Sequence, residues 1–128
     1  MTLTPEDPVE RLLTGPPVAV HAEDTLLSVA EMLVEDSIGA VVVRGPAGPA
    51  GIVSERDIVG AVVDGLDLEA DRASDVMAVD VLTIGADEPI AAAADAMVAG
   101  AVRHLPVLAD GVLVGVVSIR DVLAVYAA

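Results

Sequence analysis

The chain has 128 residues, 55% of them hydrophobic, and a formal net charge of -15; it holds six arginines and no lysine, no cysteine, and a single aromatic residue, Tyr126. Such a composition suits a packed domain and excludes disulfides, thiolate metal sites and cysteine nucleophiles. Nucleic acid is not an expected partner, since a phosphate backbone calls for a basic stripe and single strands for stacking rings.

No uncharged apolar run approaches the roughly 18 residues of a membrane helix, and Met1 to Asp7 has no basic region leading into an apolar one. A cytoplasmic protein without membrane contact is the expectation. From the N-terminus, Glu6 and Asp7 precede a short helical start at Pro8 to Leu13, which Gly15-Pro16-Pro17 ends. Residues 18–20 read as extended. Asp24 is the expected N-cap of a helix in which Leu26, Val29, Ala30 and Leu33 recur at helical spacing, with Glu31, Glu35 and Asp36 outward. A strand over 40–43, a turn through Gly45-Pro46-Ala47-Gly48-Pro49, a strand ending at Ser54 and a helix from Glu55 to Val63 complete a first unit.

After the Asp- and Gly-rich start of a linker, Ser74 to Ala78 corresponds to the short opening helix. Pro89 stands where a first helical turn tolerates it, and Ile90, Ala93, Ala94 and Met97 follow on one face of an alanine-rich helix that another element, a partner chain included, can approach closely. A strand over 105–108, the Asp110-Gly111 pair of a type I' turn, a strand over 112–117 and a helix over 119–126 end the chain.

The two halves are copies. Gly51-Ile52-Val53-Ser54-Glu55-Arg56-Asp57 returns 64 residues later as Gly115-Val116-Val117-Ser118-Ile119-Arg120-Asp121, and the offset extends without a gap to Ala30 over Ala94, Val34 over Val98 and Val43 over Val107. One supersecondary unit is used twice, with units at 8–64 and 73–128 and a linker at 65–72. Each is too small to bury a confident core alone, so the halves are expected to share one. The fold class is α/β (α+β), each unit a small three-stranded mixed sheet packed with helices.

These paired Gly-hydrophobic-Val-Ser-x-Arg-Asp motifs, together with Arg103-His104-Leu105-Pro106-Val107 and Asp75-Val76-Met77, resemble the CBS domain, which occurs in tandem pairs called Bateman modules. The resemblance covers nearly the whole chain. It implies pseudo-two-fold symmetry, two related clefts between the units, adenine nucleotides or other adenosyl compounds as ligands, and a homodimer. It also implies that Asp57 and Asp121 hold ribose hydroxyls with Ser54 and Ser118 nearby, and that Arg103 and His104 lie by the phosphates. AMP, ADP or ATP is the implied ligand, with NAD or S-adenosylmethionine as alternatives and no tightly bound cofactor.

The residues make that chemistry reasonable. A strand turning directly into a helix offers free N–H groups and a positive dipole end to phosphate. An acceptor-only carboxylate suits a vicinal diol, and Arg56 or Arg120 beside it can fork onto phosphate oxygens. Against this, Ser-x-x-Asp ahead of an apolar helix is also a capping box that serves the helix itself. On sequence both roles stand, and they are compatible.

The copies differ where Arg103-His104 faces Gly39-Ala40, and where Thr83, a possible ligand donor, faces Ala19. Two clefts of unequal affinity follow. Ser118, His104 and Asp121 have the residue types of a nucleophilic triad without any sign of its arrangement, and His21 reads as a surface residue. A Walker A loop is impossible without lysine. Two functions remain: a non-enzymatic regulatory module that reports an adenosyl ligand to an unknown regulated protein, or an interaction and dimerisation module without a small-molecule ligand.

Overall fold

The 64-residue offset reappears in three dimensions. The structure, a computed structural model describing residues 2–128, has a first sheet of β1 (Ala19–His21), β2 (Ala40–Gly45) and β3 (Gly48–Ser54) with helices α1 (Leu26–Glu35) and α2 (Glu55–Val63). Its second sheet is β4 (Ile84–Gly85), β5 (His104–Ala109) and β6 (Val112–Ser118), with α4 (Ile90–Gly100) and α5 (Ile119–Tyr126). Two short helices remain: a 3-10 turn at Val9–Leu12 and α3 at Ala73–Val76.

In each sheet the first two strands run parallel and the last two form an antiparallel hairpin. Even the irregularities repeat: Ala40 pairs with Ser54 and His104 with Ser118, and the register slips between Val43 and Arg44 and again between Val107 and Leu108. The second hairpin turns on Asp110 (φ 50°) and Gly111 (φ 78°), as the Asp-Gly pair predicts. In the first, Pro46 and Ala47 make the turn, and the positive angle falls on Gly48 (φ 115°).

The compact units are not the sequence repeats. One is residues 18–81; the other joins residues up to Pro17 with 82–128. The opening segment of each repeat is thus exchanged. Val9 N–H bonds to Glu88 O (2.8 Å) and Glu10 N–H to Ala86 O (3.1 Å), while 64 residues on Ala73 N–H bonds to Asp24 O (2.8 Å) and Ser74 N–H to Ala22 O (3.0 Å). Val9 is fully buried with Ile84, Ile90, Leu105, Val107 and Val117; Ala73 is fully buried with Val20, Val29, Val41, Val43 and Val53.

The exchange explains how the long helices begin. Asp24 is not the cap of α1: its carboxylate reaches back to the His21 N–H (2.9 Å), and Thr25 Oγ1 caps the Ser28 N–H (3.2 Å). Asp24 lies one residue too early, so its side chain closes the preceding turn. Two further N–H groups of α1, those of Leu26 and Leu27, bond to the carbonyls of Asp71 and Leu68. At α4 the N-cap is Pro89, which has no side-chain acceptor, and Asp7 O and Pro5 O take the N–H groups of Ile90 (2.9 Å) and Ala91 (2.8 Å). Free N–H groups at a helix start need such partners.

Candidate ligand site at the helix starts

Both Ser-x-x-Asp motifs fold as capping boxes. Ser118 N–H donates to Asp121 Oδ2 (3.0 Å), Ser118 Oγ–H donates to the same oxygen (3.0 Å), and Asp121 N–H donates back to Ser118 Oγ (3.2 Å). The Ser54–Asp57 copy has 2.8, 3.0 and 3.3 Å in the same bonds. Both serines and both aspartates are half-buried. The first residue of each helix is held as well, Glu55 N–H by Gly39 O (2.9 Å) and Ile119 N–H by Arg103 O (2.8 Å).

The cap therefore uses one carboxylate oxygen twice. Among the described residues, Asp57 and Asp121 accept only through Oδ2. Oδ1 keeps its lone pairs at the positive end of a helix, available to a donor from outside the protein. Capping and ligand binding do not compete for the same atom.

The second sheet gathers the other candidates at this end. His104 begins β5 directly across from Ser118, with Arg103 just before it, and Thr83 immediately precedes β4, which runs parallel to β5. Thr83, Arg103 and Arg120 are exposed and His104 is half-buried. The end of the first sheet is poorer in polar groups: Ala40 faces Ser54, Gly39 stands for Arg103 and Ala19 for Thr83, leaving Arg56, which is exposed, as the cation of its helix start. Positive charge and donors thus converge with the Ser-x-x-Asp carboxylate in one unit and not in the other.

A role for the repeated glycine escapes a reading along the chain. A Cβ on Gly51 would lie 2.8 Å from Ala78 O and 2.8 Å from Met77 Sδ, and one on Gly115 would lie 2.6 Å from Leu13 Cδ2. The glycines let the exchanged segment close against the hairpin, and in the first sheet Ile52 and Ala78 exchange backbone hydrogen bonds there (3.1 and 2.9 Å). Their recurrence at one motif position was the only signal; the reason for it comes from another part of the chain.

Comparison with known proteins bears on this site. The CBS domain family matches residues 9–64 and 73–128. A CBS domain protein from Pyrobaculum aerophilum solved in complex with AMP is 33% identical, with 94% of this chain and 99% of that one covered and a TM-score of 0.83. A CBS-domain containing protein from Agrobacterium tumefaciens is 31% identical over 94% of each chain, TM-score 0.84. A CBS domain pair solved with 5'-methylthioadenosine and S-adenosyl-L-methionine shares the fold at 23% identity and a TM-score of 0.86, over 96% of this chain and 98% of that one. No curated protein matches the chain at a significant level. Two family matches spanning most of the sequence, over a duplicated three-stranded mixed sheet, make this chain a member of the CBS domain family with two CBS domains.

Proposed function

We propose that the protein is a non-enzymatic regulatory module that binds an adenine nucleotide at the end of its second sheet, where β6 turns into α5. The observation that carries this is the spare acceptor of Asp121. Its Oδ2 completes the helix cap and its Oδ1 is left to accept from a ribose diol, at the sheet end where Arg103, His104 and Thr83 also lie. Ser118 stands beside it, and Arg120 adds a second exposed cation for phosphate. The AMP complex of the Pyrobaculum aerophilum relative supports the ligand class.

Ser54, Arg56 and Asp57 form the equivalent set on the first sheet, and without basic partners on the neighbouring strand they bind phosphate more weakly or take a different adenosyl compound. ADP, ATP, NAD and S-adenosylmethionine share the adenosine half and compete in the same panel. Occupancy alters the equilibrium between two arrangements of the chain, read by a partner protein or by a second copy in a homodimer, which requires different ligand affinity for the two arrangements. The proposed setting is the cytoplasm. Among the described residues, no helix is long and apolar enough to cross a membrane.

Thermal unfolding against AMP, ADP, ATP, NAD and S-adenosylmethionine tests the reading. A ligand that binds only the folded state, at about 100 times its Kd, adds about 2.7 kcal/mol. The expected result is a shift with an adenine nucleotide that disappears in Asp121→Ala. A chain that no member of the panel shifts would return the Ser-x-x-Asp motifs to capping alone and leave the interaction module as the better reading.

A further inference from the structure

The acidic chain keeps one helical surface almost free of charge. On α4 and α5 of the unit that holds the second sheet, positions four and three residues apart make two exposed stripes: Ala91, Asp95 and Val98, and Ile119, Leu123 and Tyr126. Val98 is 82% exposed, Leu123 57% and Tyr126 50%. The repeat-equivalent stripes on α1 and α2 are Leu27, Glu31 and Val34, and Glu55, Val59 and Val62. The apolar positions recur, but the acids do not: Glu35, Glu55 and Asp64 of the first repeat stand where the second has Ala99, Ile119 and Ala128. One acid, Asp95, and one base, Arg120, border the second surface, both exposed.

We infer that the α4–α5 surface is where a second copy of this chain docks, α4–α5 against α4–α5. The inference rests on the homodimer named above and assigns its contact. A two-fold contact sets each surface against itself, so the charges on it decide which surface can pair. Pairing α1–α2 with itself sets Glu31, Glu35, Glu55 and Asp64 against their own copies, with Arg56 as the cation beside them. Pairing α4–α5 with itself buries Val98, Leu123 and Tyr126 and allows Asp95 of each copy to meet Arg120 of the other. Alanines at 91, 92, 94 and 99 let the helices approach closely, and the small side chains cost no rotamer freedom. A chain of net charge -15 that repels its copies elsewhere associates through the surface where it does not.

Sedimentation velocity of the full chain over a concentration series, on wild type and on two matched variants, decides this. Leu123→Glu and Val59→Glu make the same change at repeat-equivalent exposed positions, one on α5 and one on α2. A dimer whose Kd rises at least about 100-fold in Leu123→Glu and changes little in Val59→Glu, with circular dichroism unchanged in both, is the expected result. Tyr126, the sole aromatic residue, gives a second readout, since its fluorescence should change with dilution through the Kd. A dimer unaffected by Leu123→Glu, or weakened equally by Val59→Glu, overturns the assigned contact and leaves the homodimer standing. A wild-type chain that stays monomeric throughout overturns both, and leaves nucleotide binding to be judged by its own assay.

Discussion

Asp121 serves two ends because a carboxylate has more acceptor capacity than a helix cap uses. Its loss in Asp121→Ala is expected to cost about 1 kcal/mol in urea unfolding, the usual range for a cap, with Asp57→Ala similar because the two boxes have matching geometry. Arg103 has no comparable structural duty for its side chain; its backbone carbonyl alone holds the α5 start. Arg103→Ala should therefore leave stability within about 0.5 kcal/mol, while weakening AMP by roughly tenfold or more and adenosine hardly at all, measured by calorimetry. Equal weakening of both ligands would remove Arg103 from the phosphate. Gly111, at φ 78°, sits where side chains are strained, and Gly111→Ala is expected to lower stability by about 1–2 kcal/mol.

At the scale of elements, the helix and hairpin positions follow the local pattern, and the helix starts do not. The periodicity over 26–33 and 90–97 marks the buried stripes, and Leu26, Val29, Leu33, Ile90, Ala93 and Met97 are indeed buried, whereas Ala30 and Ala94 sit at its half-exposed border. What satisfies the first N–H groups of α4 was invisible in sequence, because the acceptors at Pro5 and Asp7 lie more than 80 residues away in the chain. The contact of Leu13 with Gly115 belongs to the same exchange. Gly115→Ala should destabilise by about 1–3 kcal/mol through overpacking, and the penalty should shrink in the Leu13→Ala background. A double-mutant cycle with no coupling would mean that the segment does not close on the hairpin.

For the whole molecule the exchange decides which piece of chain is self-sufficient. Residues 1–64 hold the entire first repeat but lack Ala73, which is fully buried in the core of its sheet, and Ala78, which pairs with Ile52. Residues 18–81 include both and coincide with a compact unit. A fragment of 18–81 is expected to show more native-like helical circular dichroism, and a higher urea midpoint, than a fragment of 1–64. The reverse order would contradict the exchanged arrangement. The need for a shared core, read from the small size of each half, takes this concrete form: each sheet is completed by the opening segment of the other repeat.

Much of this protein is legible one residue at a time. Hydrophobic periodicity, the Asp-Gly turn and the 64-residue duplication determine the elements, their order and the fold class, because these rest on local backbone preference and on which side of an element is apolar. The Ser-x-x-Asp boxes are equally local, closing within four residues. Tertiary structure alone decided which segments share a core, since that depends on contacts remote in the chain. It alone gave the motif glycines their purpose, in the approach of Met77 and Leu13. It also left each motif aspartate with one oxygen in the cap and one outside it, a division set by where the backbone N–H groups point once strand and helix are in place.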